Sequence, residues 1–290
     1  MFNSCKVVED PQSILGINML FLLICVKAMS RHDIESYIPQ WIANWLLISG
    51  INKAKIPGAD FSGIIYKIGD EVFGLNLSII GNGCLSQYIK LSENMPNMIH
   101  KPTNLSHIEA AAIPLAFLTA YTTLHDWGSF IVDNPKILIL GASGDVGHIA
   151  CQIVRAMNAY IVGICSTQNI EFVQEMSTNE IFLKSNQSIY LTIVGNKTSR
   201  NILGGIISYL FASRMILRSL KSIIGLGPRY YYINLSSKKE NIDQILYMFN
   251  KGIIKPVIDS IFKFSNHVKQ AYERLDTSRV KGKVVTDFDK

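Results

Sequence analysis

The chain has 290 residues, 48% of them hydrophobic and 17% charged, with a formal net charge of +6. It contains no internal repeat and no low-complexity tract, and its composition predicts two modest globular domains with cores of their own. Residues 197–290 carry 17 Lys+Arg against 7 Asp+Glu, but these charges are spread out, which indicates a solvated surface and excludes a nucleic-acid-binding arm.

The N-terminal part contains an apolar run at residues 14–26. A bilayer span needs about 20 apolar residues, and Glu9 and Asp10 are unlike the basic start of a signal peptide or an acid-poor mitochondrial presequence. We therefore predict a buried strand at residues 20–29 and keep a membrane-associated N-terminus as an alternative. The five cysteines form no Cys-x-x-Cys pair, which indicates buried thiols in a reducing compartment and favours a cytoplasmic location.

Short β-type runs punctuated by glycines follow within residues 56–66, 67–74 and 85–91, and they predict a small β-rich domain. A helix is predicted from Ser106, whose side chain can cap it while Glu109 occupies the capping-box position. The apolar pattern continues this helical region over residues 115–124.

The organising feature of the sequence lies at residues 136–169. An apolar strand at residues 137–140 leads into a glycine-containing turn, a helix with one apolar face covers residues 148–157, and a second strand covers residues 160–165. A strand, glycine turn, helix and strand in this order are the setting of a dinucleotide fingerprint. The predicted cofactor-binding residues of the turn are Ala142, Ser143, Gly144, Asp145, Val146 and Gly147.

Several residues of this turn have an expected task. Gly144 would let the backbone approach a pyrophosphate at the helix N-terminus, and Gly147 would let the helix pack tightly on the strand. Ala142 stands at the position of the first fingerprint glycine, next to Gly141. A carboxylate at Asp145 suits the helix dipole, but it would repel a pyrophosphate unless it points away.

The residues after the second strand bear on the choice of cofactor. An NAD site wants an Asp or Glu about 20 residues after the glycines, whereas this chain has Ser166, Thr167 and Gln168 there. Because neutral hydroxyls can accommodate a 2′-phosphate, we predict NADPH rather than NADH as the cofactor. A plain helix cap by Ser166 or Thr167 is the alternative interpretation.

The remaining pattern predicts helices at residues 170–176, 241–250 and 267–275, and strands at residues 180–183, 189–194, 257–261 and 283–287. The loop at residues 184–188 is too short for a crossover helix, although parallel strands need about a dozen connecting residues. A parallel sheet that lacks a helix exposes apolar surface and has a weaker cofactor crevice. A curtailed sheet is therefore expected.

Seven stretches in register resemble the medium-chain dehydrogenase/reductase superfamily, and in particular its zinc-free quinone oxidoreductase-like branch with an enoyl-reductase-type domain. They are IPGADFSGII, KIGDEVFGL, EAAAIPLAFLTAYTTL, ILILGASGDVGHIACQIVRAMNA, GICSTQN, KGIIKPVIDS and AYERLDTSRVKGKVV. The resemblance implies an α/β protein with a GroES-like β domain and a Rossmann-type doubly wound parallel sheet. We accordingly predict a GroES-like catalytic domain formed by residues 1–118 with 256–290, and a Rossmann dinucleotide-binding domain formed by residues 119–255.

The same resemblance implies roles for residues outside the glycine turn. Thr119 would lie by the nicotinamide, and Lys283 would reach the cofactor from the other domain. Lys184 stands where relatives have a tyrosine that helps to hold the 2′-phosphate, and it could act there as a point charge. Gln168 replaces an arginine that is common in relatives, which removes a favourable contact.

Catalysis is expected to proceed without zinc. Zinc-dependent relatives carry Gly-His-Glu where this chain has Gly58, Ala59 and Asp60, and an alanine cannot ligate a metal. The predicted catalytic residues are Asp33, in a segment that lines the substrate cleft of relatives, and Tyr37, one helical turn further on. Tyr37 could donate a proton to a substrate oxygen.

Together these features predict an oxidoreductase that transfers a hydride from NADPH to a quinone or to a carbonyl-conjugated C=C bond. Its partner would be this small-molecule substrate, with a homodimer left open and membrane contact less favoured. Two alternatives stay open: a dinucleotide-binding sensor or scaffold without turnover, and a peripheral membrane protein.

Overall fold

The computed structural model describes residues 19–29, 56–76, 83–127, 136–175, 189–192, 217, 220–221, 223–226, 229–232, 238–277 and 279–288. The predicted strand at residues 180–183 and the predicted short loop at residues 184–188 lie outside this part of the chain.

The strands are β1 (Met19–Met29), β2 (Asp60–Ile65), β3 (Glu71–Leu75), β4 (Tyr88–Ser92), β5 (Met98–His100), β6 (Lys136–Leu140), β7 (Tyr160–Ile164), β8 (Ile189–Thr192), β9 (Arg229–Tyr232), β10 (Ile258–Lys263) and β11 (Lys283–Asp287). The α-helices are α1 (His107–Ala112), α2 (Pro114–Tyr121), α3 (Asp145–Ala156), α4 (Ile170–Glu175), α5 (Lys239–Asn250) and α6 (Phe264–Asp276). A π-helical turn (Thr122–Trp127) follows α2, and a 3-10 turn (Thr167–Asn169) precedes α4.

The largest sheet of the described residues contains seven strands in the order β10-β11-β1-β2-β3-β5, with β4 also paired to β1. Strand β1 pairs antiparallel with β11, β2 and β4, and β2 and β3 form an antiparallel hairpin. The predicted strands of the N-terminal third are thus confirmed as parts of one sheet. The long strand β1 lies inside this sheet, between β11 and β2.

Strand β11 pairs with β1 and so belongs to the same sheet as the strands of the N-terminal third. Strand β11 lies between β1, to which it runs antiparallel, and β10, to which it runs parallel. Helix α6 connects β10 to β11 and buries Ala271 and Leu275 against Val284. The predicted terminal strand is confirmed at both of its ends, and the order of elements agrees with the expected return of the C-terminus to the first domain.

The predicted strand–turn–helix–strand unit is present as β6, α3 and β7. Strands β6 and β7 are parallel neighbours, with Lys136 opposite Tyr160 and Leu140 opposite Ile164. A second parallel pair, β8 with β9, includes the part of the predicted strand at residues 189–194 that the structure describes, Ile189–Thr192. Strand β9 lies just after a segment whose sequence pattern is ambiguous, and no strand is predicted there.

Helices α1 and α2 connect the large sheet to the glycine unit. Helix α1 starts at a complete capping box, in which the backbone N–H of Glu109 donates to the Ser106 side chain and the Glu109 carboxylate accepts from the Ser106 N–H. Pro114 occupies the first turn of α2, where its missing N–H costs nothing. The predicted capping box is confirmed.

The main core cluster joins β3, α2, α3 and α5 through side chains such as Phe73, Phe117 and Ile149. By contrast, Leu138, Leu140 and Ile164 on the β6–β7 pair are 45%, 59% and 50% exposed. Apolar side chains of parallel strands are usually covered on both faces. The residues from which a curtailed sheet is predicted lie outside the described part of the chain, so the curtailment remains a prediction. Among the helices described, none is long and apolar enough to cross a bilayer.

Candidate cofactor site at the glycine turn

The glycine turn is tied to the carboxyl end of the neighbouring strand. The backbone N–H groups of Gly141 and Ala142 both donate to the carbonyl of Ile164 at 2.9 Å, and Gly144 donates to the carbonyl of Gly141 at 2.9 Å. Gly141 has φ +72, a left-handed conformation that favours glycine. The turn therefore lies at the carboxyl ends of β6 and β7, where open α/β sheets bind ligands.

Gly147 is required by close packing. A Cβ atom there would lie 2.1 Å from the carbonyl oxygen of Gly141 and 2.9 Å from Cα of Ala142. The helix therefore packs tightly on Gly141 and Ala142, the residues that directly follow β6, whereas the sequence predicts tight packing on the strand itself. Gly144 is different, because a Cβ there would meet the Gly141 oxygen at 3.3 Å and no second described atom within 4 Å.

Gly144 is also the N-cap of α3, in an extended conformation and without a side chain to cap the helix. The first N–H groups of a helix lack intrahelical partners, and at α3 they face a residue that leaves space beside the backbone. A side chain at residue 144 would fill this space. This is the geometry on which the predicted approach of a pyrophosphate depends.

The turn is also joined to the segment that follows β7. The buried side chain of Asn169 donates to Ser143 Oγ at 3.0 Å. Ser166, Thr167 and Gln168 precede it and are exposed. Of the two residues in the alternative interpretation, Ser166 occupies the N-cap position of the 3-10 turn and Thr167 is its first residue, but the Ser166 side chain makes no cap hydrogen bond.

Asp145, the first residue of α3, is paired within the protein. One carboxylate oxygen accepts from the N–H of Val146 at 2.9 Å, and the other lies 3.5 Å from Lys283 Nζ. About a third of the Asp145 side chain is exposed. The ammonium group offsets the charge that the sequence identifies as a problem for a bound pyrophosphate.

Lys283 is the first residue of β11 and its side chain is only 1% exposed. Its ammonium lies 3.1 Å from Asp60 Oδ2, and Asp60 is equally buried. The other oxygen of Asp60 accepts from the N–H of Leu115 at 2.7 Å, in the first turn of α2. Lys283 therefore connects the large sheet, α2 and α3 beside the glycine turn, and its predicted contact with the cofactor remains a prediction.

Backbone hydrogen bonds hold the start of β11 against the same turn. The N–H of Gly282 donates to the carbonyl of Ser143 at 3.1 Å, and the N–H of Lys283 donates to the carbonyl of Val257 at 2.8 Å. Gly282 has φ +74, and a Cβ there would lie 2.3 Å from the Val257 oxygen. This close approach explains the glycine that precedes Lys283.

His148 and Gln152 fasten α3 to the segment before β10. The ring of His148 contacts the carbonyl of Gly144 at 2.8 Å through Nδ1, and Nε2 accepts from the N–H of Val257 at 3.3 Å. The side chain of Gln152 donates to the Lys255 carbonyl at 3.1 Å and accepts from the Lys255 N–H at 2.7 Å. The pattern around His148 fits a neutral imidazole that carries its proton on Nδ1.

Burial determines the titration of two groups on α3. It lowers the pKa of His148 below its ordinary value, in agreement with the neutral ring. It raises the pKa of the Cys151 thiol to about 12, so this thiol remains protonated and unreactive at neutral pH. The buried contacts of His148 and the burial of Cys151 give both side chains a packing role, and for Cys151 this agrees with the expected buried thiols.

Thr119 lies on α2, the helix that packs against α3. Its hydroxyl donates to the carbonyl of Leu115 at 2.6 Å, and its own carbonyl accepts from the hydroxyl of Thr123 at 2.6 Å. The predicted contact of Thr119 with a nicotinamide remains a prediction. Asp33, Tyr37 and Lys184 lie outside the described residues.

Sequence reasoning missed three side chains of this site: Asp60, Asn169 and His148. The sequence places the acid Asp60 directly before an apolar β run. A carboxylate buried at such a position needs a partner for its charge. Asn169 directly follows the residues predicted to select the cofactor. His148 carries no local signal, since its partner Val257 is 109 residues away.

The chain resembles proteins that carry this fold. The family described as zinc-binding dehydrogenase matches residues 181–286. The mitochondrial NAD(P)H oxidoreductase RTN4IP1 of Mus musculus is 26% identical over 280 residues, covering 79% of this chain and 69% of that protein. The chloroplastic quinone-oxidoreductase homolog of Spinacia oleracea is 25% identical over 299 residues, covering 92% and 89%.

A solved structure, the quinone oxidoreductase from Coxiella burnetii, superimposes with a TM-score of 0.75 at 21% identity, covering 93% of this chain and 90% of that one. The resemblance to the medium-chain dehydrogenase/reductase superfamily is confirmed. The fold class predicted from the sequence, a GroES-like β domain with a Rossmann-type domain, is confirmed with it. The family match begins after Gly58, Ala59 and Asp60, so it does not test the residues that bear on zinc.

Proposed function

We propose that the protein is an NADPH-dependent oxidoreductase that transfers a hydride to a quinone or to a carbonyl-conjugated C=C bond without a zinc ion. The observation that carries the proposal is the geometry of the turn at Gly144, an N-cap glycine with space for a ligand beside it. The names of the relatives, NAD(P)H oxidoreductase and quinone-oxidoreductase homolog, support an oxidoreductase that uses a nicotinamide dinucleotide.

The residues of the turn fit a dinucleotide. The N-terminus of α3 would hold the pyrophosphate through its dipole and through first-turn N–H groups other than that of Val146, which donates to Asp145. Ala142 and Gly147 keep the turn compact, Ser143 is fixed by Asn169, and the Asp145 carboxylate is paired with Lys283. The bound cofactor would supply the hydride, while the protein orients it and excludes water.

A preference for NADPH is proposed on the residues that follow β7. Ser166, Thr167 and Gln168 are exposed and carry no charge, so they would neither repel a 2′-phosphate nor make the acidic ribose contact of an NAD site. Lys184 would add a cation to the same region. We expect tighter binding of NADPH than of NADH.

Zinc-free chemistry is proposed on the residues at the start of β2. Ala59 is buried and offers no ligand atom. The carboxylate of Asp60 contacts the Leu115 N–H and the Lys283 ammonium, which directs it away from a metal. A catalytic zinc needs three protein ligands and an open position. Asp33 and Tyr37 are proposed to act at the substrate instead, with Tyr37 as the proton donor.

The test is a titration followed by a turnover assay with the purified chain. NADPH and NADH are titrated against tryptophan fluorescence, and the loss of NADPH absorbance is then followed with 1,4-benzoquinone or with a simple enone. We expect NADPH to bind more tightly and to be oxidised by at least one acceptor. Gly144→Val should abolish binding, and Tyr37→Phe should lower turnover while leaving binding intact.

Each result has a separate meaning. Failure of both cofactors to bind would refute the oxidoreductase proposal. Binding without turnover by any quinone or enone would favour a dinucleotide-binding sensor or scaffold. A chelator that abolishes turnover would refute the zinc-free mechanism.

The predicted domain boundaries, at residues 118–119 and 255–256, are proposed on the same basis as the function. The return of β11 to β1 supports them. A homodimer and a cytoplasmic location are further parts of the proposal. The relatives named above carry mitochondrial and chloroplastic designations, so localisation is best tested directly with a tagged chain.

A further inference from the structure

The buried lysine at the start of β11 has an unusual pair of partners. Lys283 Nζ lies 3.1 Å from Asp60 Oδ2 and 3.5 Å from Asp145 Oδ2, and the lysine side chain is 1% exposed. Burial of an ammonium is unfavourable unless opposite charges are close. Two carboxylates on different elements fulfil this condition. One of them, Asp145, belongs to the turn where the pyrophosphate is proposed to bind.

Neither the lysine nor its deep partner can easily turn away. The backbone N–H of Lys283 is bound to the carbonyl of Val257, and the preceding Gly282 is bound to Ser143 in the glycine turn. Asp60 is fixed by the N–H of Leu115. The ammonium is therefore held beside the first residue of α3 by contacts that do not involve a cofactor.

Asp145 is the residue whose charge requires a nearby cation if an anion is to bind at the same helix N-terminus. Its carboxylate stands in the first turn of α3, partly exposed, where a negative charge suits the helix dipole but opposes a second anion. One oxygen is occupied by the Val146 N–H, and the other faces Lys283. With the lysine in place, the charge of the Asp145 carboxylate is offset by an ammonium in contact with it, although one ammonium serves both this carboxylate and that of Asp60.

We propose that Lys283 is a positioning residue that acts through Asp145. It offsets the charge of this carboxylate and holds it on the β11 side of the turn, so that the N-terminus of α3 can accept the pyrophosphate of the dinucleotide. Its ammonium is engaged by carboxylates and is not the group that contacts the phosphate. This role rests on the proposed function, in which a dinucleotide binds at the glycine turn.

The test compares the dissociation constant of NADPH, measured by tryptophan fluorescence, for four proteins and one control variant. The four proteins are the parent, Asp145→Asn, the double variant Asp60→Asn with Lys283→Met, and the triple variant that combines all three changes. Asp60 is neutralised together with Lys283 because a buried carboxylate without its lysine would threaten folding. Asparagine at residue 60 keeps an oxygen for the Leu115 N–H.

We expect the effect of Asp145→Asn on NADPH binding to depend on whether Lys283 is present. The double variant leaves the net charge of this group at −1 (one ammonium with two carboxylates before, one carboxylate after), but it removes the ammonium 3.5 Å from Asp145. Because Asp145 then has no cation in contact, NADPH should bind more weakly by on the order of tenfold. Adding Asp145→Asn should restore most of this loss, whereas the same change in the parent should alter binding by no more than about threefold. Lys281→Met is the control for the loss of a lysine ammonium, because it removes one from an exposed residue nearby that is not paired with Asp145, and it should bind as the parent does.

Denaturant unfolding of the cofactor-free proteins gives a second readout. Asp145→Asn should raise the unfolding midpoint of the double variant and should not raise that of the parent. A parent that fails to bind NADPH overturns the proposed function together with this role. If the parent binds but the triple variant is as weak as the double variant, or if the double variant binds like the parent, this role alone is overturned.

Discussion

Replacing Gly147 by alanine should damage the fold itself, independently of any cofactor. The added Cβ would lie 2.1 Å from the Gly141 carbonyl oxygen. Since C···O contacts are normally about 3.3 Å or longer, α3 and the turn would have to separate by roughly 1 Å. Overpacking of this kind costs about 1–3 kcal/mol, and the better helix propensity of alanine returns up to about 1 kcal/mol.

A contact of 2.1 Å lies at the severe end of this range, so about 3 kcal/mol of cost less about 1 kcal/mol of gain leaves an expected net loss of about 2 kcal/mol in unfolding free energy for Gly147→Ala. For a chain of this size the melting temperature should fall by about 4–8 °C. The assay is thermal unfolding of the cofactor-free protein followed by circular dichroism. A melting temperature within about 2 °C of the parent would show that the turn is looser than the structure describes it.

Gly144→Ala is the matched control. Its φ is −77 and the new Cβ would meet only the Gly141 oxygen at 3.3 Å, so unfolding free energy should change by no more than about 1 kcal/mol. NADPH binding should nevertheless weaken, because the methyl group occupies the space proposed for the pyrophosphate. If both alanine variants lose stability alike, the distinction between a packing glycine and a ligand-facing glycine is wrong.

Three further predictions concern stability. Because burial holds the pKa of His148 low, the unfolded chain takes up a proton before the folded chain does on acidification. The contribution of His148 to the unfolding free energy should be complete above about pH 6.5 and should fall below it by up to about 1.4 kcal/mol per pH unit. His148→Gln should reduce this slope in urea titrations at a series of pH values. Arg274→Lys breaks the two-pronged pairing of Arg274 with Asp259, at 2.6 and 2.8 Å, and should cost about 1–2 kcal/mol in urea unfolding; an unchanged midpoint would refute this. Ser106→Ala removes the capping hydrogen bond of α1 and should cost about 1 kcal/mol by the same assay, with no change expected for NADPH binding.

The elements that the sequence predicts well are those determined by neighbours in the chain. The capping box at Ser106 involves groups three residues apart, and the packing role of Gly147 follows from its spacing after the strand. The C-terminal strand was recognisable as a short β-branched run at residues 283–287. In each case the interacting groups lie close together in the sequence, so a short pattern is enough to predict the structure.

The features that escaped prediction depend on groups far apart in the sequence. Lys283 and Asp145 are 138 residues apart, and His148 and Val257 are 109 apart. No periodicity connects such groups, and a buried lysine looks like a surface lysine until its partners are known. Strand β9 was missed for a similar reason, because its tyrosines acquire a strand conformation only by pairing with β8.

The contacts of β11 make stability and cofactor binding interdependent. This strand pairs with β1 and β10, while its first residue contacts Asp60 and Asp145 at the glycine turn. A ligand that binds only the folded turn stabilises every contact on which the turn depends. NADPH should therefore slow hydrogen exchange of the β11 amides as well as those of α3, although β11 belongs to the large sheet. Protection confined to α3 would mean that β11 supports the fold without taking part in the site.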